Sequence, residues 1–303
     1  MMRALRVAFL FTAYASLAWL VDGVVTLLAD DESRDVRLIE RIEAREEAVE
    51  VQVDVREDFE IQVEVRTLGA CAFEAERRLS VELADGATLA IEVGAGSLSV
   101  EGGEGSGVVA VGRACASSQE LLDQLLLTTQ ADGGDLRLSA HYPDRRGRDR
   151  SGNARIDLAV SVPAGVRVDI GDSSGDIVVV GTGDLRIADS SGSIEVRGVT
   201  GSVRIADSSG GIEIDDATGD VEITDGSGEI EVRSVGGSVA VRDGSGAVEV
   251  ERVGADVVIE ADGGGSIDVR DVAGDFTVER DGSGGVRHSG VAGRVDVPAR
   301  SRR

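Results

Sequence analysis

Between Val166 and Val297, apolar and polar residues alternate in short runs, and the runs recur at a nearly fixed interval. The punctuation is an Asp-Ser/Gly turn: Asp172–Gly175, Asp189–Gly192, Asp207–Gly210, Asp225–Gly228, Asp243–Gly246, Asp262–Gly265 and Asp281–Gly284. Successive aspartates lie 17, 18, 18, 18, 19 and 19 residues apart. Two aliphatics at i and i+2 follow each turn, then a second turn that usually contains Gly, then two more aliphatics. The sets read Ile194/Val196 with Val203/Ile205, Ile212/Ile214 with Val221/Ile223, and Ile230/Val232 with Val239/Val241. They continue as Val248/Val250 with Val257/Ile259 and Ile267/Val269 with Phe276/Val278. A period of two puts these aliphatics on one face of a strand and the intervening Glu, Arg, Asp and Ser on the other. A recurrent interval of about 18 residues marks stacked coils. The pattern predicts an all-β fold: a single-chain parallel β-solenoid (β-helix) of about 18-residue coils over residues 166–298.

Stacking is a necessity for such coils. About four aliphatics cannot offset the entropy of ordering a whole coil, so each coil depends on its neighbours. Stacked coils pair backbones at the strand spacing and set β-branched residues on β-branched residues. Tight corners demand residues that tolerate positive φ, which accounts for the Gly, and Asp and Ser side chains bond turn amides. Phe276 stands where other coils have a smaller residue, which predicts local widening. His288 stands where earlier coils carry Val, and Pro298 follows, so the coil around them is expected to be the last.

Upstream the pattern changes. Arg3 and Arg6 precede the apolar run Val7–Val21, which predicts a signal peptide, or a membrane anchor helix over residues 7–29. Residues 1–29 are therefore assigned to a leader. Residues 30–50 read as a charged spacer or short exposed helix, with a weak stripe at Leu38, Ile39 and Ile42. Residues 51–165 form a β-rich N-terminal part of the solenoid, beginning with period-two alternation over Val51–Val65. It carries one short inserted helix near 117–128, capped by Ser117 or Ser118. This helix or the β-segment around it is expected to shield one end of the stack. Asp144–Arg150 is an exposed loop, and residues 299–303 are an Arg-rich tail.

Composition narrows the function. Formal net charge is -25 in 303 residues, and all 31 basic residues are Arg. Phosphate backbones are repelled, so no nucleic acid partner is expected. Schiff-base chemistry is absent without Lys, and with aromatics at 3% few stacking platforms exist. Cys71 and Cys115 in an exported chain read first as a disulfide, the alternative being two free thiols. Calcium-binding nonapeptides need Asp where this chain has an aliphatic, as in Gly228-Glu229-Ile230, so no metal site follows from the turns. Glu195, Glu213, Glu231, Glu249 and Asp268 form an outward acidic column that Arg197, Arg233 and Arg270 are placed to offset. His141 and His288 lack an evident nucleophile partner. No catalytic residues and no cofactor are expected.

The recurrent Asp-Gly-Ser-Gly-x-[Ile/Val]-x-Val coils behind an exported N-terminus resemble the bacterial putative-adhesin β-strand repeat family, also called the DUF4097 family. The resemblance covers roughly Cys71 to Pro298, is strongest from Asp172 to Gly284, and includes Val162-Pro163-Ala164-Gly165 and Gly112-Arg113-Ala114-Cys115. It implies a parallel β-helical stack, an envelope location and an adhesive role, and it carries no catalytic residues. The acidic stretch of residues 30–50 falls outside the pattern. The expectation is an exported, non-catalytic envelope protein, periplasmic or on the cell surface, or anchored to the inner membrane by its N-terminal helix. It would present a binding surface to an envelope or surface macromolecule not named by the sequence. Two alternatives stand beside it: a polymerising scaffold resembling bactofilins, and a β-helix enzyme acting on polysaccharides.

Overall fold

The structure is a computed structural model that describes residues 71–143 and 153–298, together with the backbone of strands between residues 4 and 68. Two units divide the chain, Met1–Gly69 and Ala70–Arg303. In the first, Ala4–Leu10 pairs antiparallel with Asp22–Leu28, so the helix expected over residues 7–29 is corrected to strand at both its ends, and residues 11–21 between these strands lie outside the described ones. Among the described residues no helix is long and apolar enough to cross a membrane. The spacer expected over residues 30–50 is corrected. Val36–Glu43 and Ala48–Val55 are antiparallel strands, joined by a third, Ile61–Leu68. Val36, Leu38 and Ile42 satisfy a period of two as well as a helical stripe, and long-range pairing decides between them: Leu38 lies opposite Val53, and Val53 opposite Val63. The loop at 144–150 and the tail at 299–303 also lie outside the described residues.

The second unit is the predicted parallel β-solenoid. Two sheets of eleven strands face each other, and each coil gives one strand to each. The first sheet stacks Ile177–Val180, Ile194–Val199, Ile212–Ala217, Ile230–Val235, Val248–Val253, Gly265–Val272 and Gly284–Val291. In the second, Arg167–Gly171 is followed by Leu185–Ala188, Val203–Ala206, Val221–Asp225, Val239–Asp243, Val257–Asp262, Phe276–Val278 and Val295–Asp296. Every aliphatic of the five predicted sets is buried. Register is like on like: Ile194 pairs with Ile212, and Ile212 with Ile230.

Each coil buries one aliphatic more than the sequence pattern announced. Val199, Ala217, Val235, Val253 and Val272 point inward three residues after the second aliphatic of the first-sheet strand. A left-handed residue makes this possible, because it reverses the alternation: Gly198, Asp216, Ser234, Arg252 and Asp271 all have φ between 54° and 65°. The irregular intervals also have causes. Val180 pairs with Arg197 and Leu185 with Val203, so the 17-residue coil is one residue shorter between these points, and the buried Thr182, after the left-handed Gly181, stands where the next coil has Val199. Beyond Val241 the register shifts, Arg242 pairing with Ala261, and the extra residue at Glu260, repeated as Glu279 in the next coil, gives the two 19-residue intervals.

The stack begins out of sequence order. Thr88–Glu92 and Leu98–Gly103 form a coil that pairs directly with Arg167–Gly171 and Ile177–Val180. On its other side lies a coil made later in the chain, Asp135–His141 with Ala154–Pro163. Three antiparallel strands close this end: Gly107–Ala116 and then Phe73–Glu82 on the first sheet, Leu126–Asp132 on the second. The inserted helix is shorter than expected, Gln119–Gln124, with Ser118 accepting from the Leu121 amide. Leu125 leaves helical backbone and is buried, while Arg77 binds the Leu122 and Leu125 carbonyls at 3.1 and 2.8 Å. A hydrogen-bonded side chain thus terminates the helix where the next strand must begin.

Cys71 and Cys115 form the expected disulfide, with Cα atoms 5.0 Å apart. It fastens the edge strand Phe73–Glu82 to Gly107–Ala116 and closes a span of 44 residues. Reduction is expected to lower stability by about 2–4 kcal/mol in the chain-entropy picture. Denaturant melts with and without reductant check this, and a shift under 1 kcal/mol (about a quarter of the chain-entropy value) would show that pairing alone holds the cap.

Candidate interaction surface

With the interior filled by aliphatics, the outward lanes of the two sheets carry the chemistry. On the first sheet Glu195, Glu213, Glu231, Glu249 and Asp268 stand in register, as expected. The arginines two residues further on fold back onto them. Arg233 reaches Glu213 at 3.4 Å and also bonds Glu231, while Arg197 bonds Glu195. Arg270 spans Glu249 and Asp268 at 2.5 and 2.8 Å, and Glu249 holds its guanidinium above the usual pKa. Half-exposed pairs of this kind contribute little stability. Their effect is to neutralise the lane.

The second sheet differs. Asp169, Arg186, Arg204, Glu222 and Ala240 share one outward lane. An open groove of about 540 Å³ runs along it from Arg167 to Ala240. A second groove, about 480 Å³, meets it at Asp169 and continues past Arg137 to Gln130 on the capping strand. Arg204 is held by Glu222 at 2.6 Å, Arg167 by Asp184 at 3.5 Å and Arg137 by Glu92 at 3.0 Å. Arg186 makes no ion pair among the described residues. Along the groove edge, Asp184 and Asp220 accept the amides of Ser202 and Ser238 in the following coils, at 3.0 and 2.8 Å. Those two acids are thereby committed to the corner. The sequence pattern flagged the acidic lane and not this one, because Arg186 and Arg204 share a repeat position that changes to Glu222 and Ala240 in the next coils, and Arg137 joins it only through coils stacked out of sequence order.

The histidines sit apart. His141 Nε2 lies 2.7 Å from Thr128 Oγ1 on the exposed face of the capping hairpin, and the His288 ring centroid is 5.9 Å from that of Phe276. Among the described residues no group of three or more His, Cys, Asp or Glu side chains is placed to hold a metal ion.

Fold and surface together define a two-sheeted parallel β-solenoid with a largely aliphatic interior and charged outward faces. No family model matches the chain, and no curated protein matches it. Among solved structures it is similar to a putative cell adhesion protein from Clostridium sporogenes, at 14% identity and a TM-score of 0.31, covering 74% of this chain and 99% of that one. It is also similar to a putative adhesin from Bacteroides fragilis, at 12% identity and a TM-score of 0.40, covering 74% and 97%. A putative lipid binding protein from Parabacteroides distasonis gives 15% identity and a TM-score of 0.36, covering 73% and 96%.

Proposed function

We propose that the chain is an exported, non-catalytic envelope protein that offers the outward face of its second sheet to another macromolecule, in the manner the DUF4097 resemblance implies. The observation that carries this reading is the open groove along Arg167, Arg186 and Arg204, in which Arg186 makes no ion pair among the described residues, in a chain of formal charge -25. The groove mixes these three arginines with Asp169, Asp184, Asp220 and Glu222, so it offers a mixed-charge strip in which Arg186 is the point of attraction for an anionic group, while the net charge of the chain repels polyanions such as nucleic acid. The Cys71–Cys115 disulfide and the basic-then-apolar leader support an oxidising compartment.

The test joins location to binding. Fractionation of the native cell is expected to return the protein with the envelope and with Cys71 linked to Cys115. Arg186→Glu with Arg204→Glu is expected to weaken binding of the purified chain to isolated envelopes about tenfold, equivalent to ~1.4 kcal/mol. A cytosolic protein with free thiols, or unchanged binding by the double variant, would sink the proposal. A second reading, end-to-end assembly, is favoured by the coil of Gly284–Val291 and Val295–Asp296, whose outer edges are unpaired among the described residues. Concentration-dependent sedimentation would distinguish it.

A further inference from the structure

The repeat places an aspartate at the same corner of every coil, and the corner faces inward. Asp172, Asp189, Asp207, Asp225, Asp243 and Asp262 are only 3–8% exposed. Asp225, Asp243 and Asp262 are paired in direct register, and Asp281 continues the line. Neighbouring carboxyls are therefore about one strand spacing apart, roughly 4.8 Å. For Asp172, Asp207 and Asp243, part of the hydrogen bonding goes to the residue's own turn. The Ser173 and Ser174 amides donate to Asp172 Oδ1 at 2.6 and 3.3 Å, Ser208 to Asp207 Oδ1 at 2.7 Å, and Ser245 to Asp243 Oδ1 at 3.1 Å. The remainder is unmet. Oδ2 of Asp172, Asp207 and Asp243, and both oxygens of Asp189, Asp225 and Asp262, are buried without a partner.

Among the described residues, what surrounds the column offers no counter-charge. Along its own strand Asp225 follows the buried Ile223, and after the turn the next inward residue is Ile230. Above and below stand other aspartates. At the capped end the Tyr142 phenol occupies the next place, its oxygen accepting from the Gly94 amide at 3.2 Å, and its own pKa is raised chiefly by burial. No arginine acts on Asp172, Asp189, Asp225, Asp243 or Asp262. A line of buried, unpaired, like-charged carboxylates is not tenable when fully ionised, since burial and mutual repulsion both oppose the charge.

We propose that this column is a proton-binding site: at neutral pH a share of its carboxyls is protonated, each O–H donating to the carboxylate of the coil above or below. Solvent supplies the proton, and no other ligand is needed. Each shared proton satisfies two of the orphaned oxygens and removes one charge. Asp243 and Asp262 stand near enough for each to act on the other in this way. Burial, partly offset by the turn amides, raises Asp172 and Asp243 to about 6, and it pushes Asp189, Asp225 and Asp262 upward as well. The sign follows from linkage. A folded-state pKa above the unfolded one contributes stability that is fully present below the unfolded carboxyl range, near 4, and is lost as pH rises through about 6. The solenoid is therefore built to be firmest in mildly acidic surroundings.

The test compares thermal melts of the full chain from acid to mildly alkaline pH with those of Asp225→Asn with Asp243→Asn. The parent midpoint is expected to fall as pH rises through the window near 6, and the column variant to lose most of that fall, because Asn supplies a neutral donor at every pH. Glu104→Gln with Glu229→Gln removes the same charge from exposed positions and is expected to leave the fall in place. Equal flattening by both pairs would assign the effect to general repulsion and overturn the proposal. So would a rise in the parent's midpoint on adding calcium, sodium or potassium chloride that the column variant lacks, since the ligand would then be a cation. If the column variant does not fold, carbon-13 titration of labelled aspartates in the parent decides: side chains still protonated at neutral pH sustain the proposal, and uniformly ordinary titration ends it.

Discussion

Gly228→Ala is expected to cost more than about 3 kcal/mol, out of proportion to a single added methyl group. Two independent penalties meet at this residue. Its φ of +152° is a conformation that L side chains rarely adopt, and such strain costs on the order of 1–3 kcal/mol. A Cβ at Gly228 would also lie 1.6 Å from the Gly210 carbonyl oxygen in the coil beneath. The oxygen is backbone, and the adjoining Gly228 amide is itself bonded to the Ser245 carbonyl at 3.0 Å, so the corner cannot yield without breaking the ladder. The same approach recurs along the column from Gly175 to Gly284, where an added Cβ would stand 1.4–1.9 Å from the preceding carbonyl. Chemical denaturation monitored by circular dichroism measures the effect. Gly105→Ala, at a φ of +131° but with no atom within 4 Å of the added Cβ, reports the conformational part without the clash and is expected to be much milder. If the two variants lose the same stability, close stacking is not what the corner glycines provide.

Phe276→Ala is expected to cost about 3–5 kcal/mol, the usual range for emptying a buried aromatic site. The ring is fully buried, with Val257 and Val295 in register on either side and His288 closing over it. The ladder keeps its register through Phe276, so the added bulk is taken up without a bulge in that strand. Repacking has little to draw on, because the last coil is largely exposed and Val295 is already 37% accessible. Since a solenoid's coils contact only their neighbours, the loss should concentrate there. Hydrogen exchange is therefore expected to quicken across residues 276–296 while the coils around Ile194 and Ile212 keep their protection. Uniform loosening of all coils would contradict nearest-neighbour coupling.

The regular coils were legible because each encodes its geometry locally. A period of two fixes the inward face, Asp-Gly-Ser-Gly fixes a corner, and an interval near 18 residues fixes the stack. The candidate surface was legible only in half. Glu195 to Asp268 repeats at one coil position over five coils and is visible by eye, whereas Arg186 and Arg204 repeat only once and Arg137 enters their lane, beyond Ala90 and Asp169, through coils stacked out of sequence order. The Asp corner showed the converse problem. Its turn chemistry was plain, but the same residues serve an exposed turn equally well, and their burial depends on where two sheets meet.

The sequence by itself determined that this chain coils, where it turns, which aliphatics face inward, and that Cys71 and Cys115 are candidates for a bridge. Tertiary structure alone decided the rest. It set the coil of Thr88–Gly103 between two coils made later in the chain, closed one end with antiparallel strands and a short helix, and drew a fifth aliphatic inward through a left-handed residue. It also turned a line of aspartates toward the interior. The division has one physical cause. Side-chain alternation and turn preference act between residues close in sequence, whereas strand order, capping and the burial of a corner are settled by pairings between segments far apart, whose free energy no local pattern records.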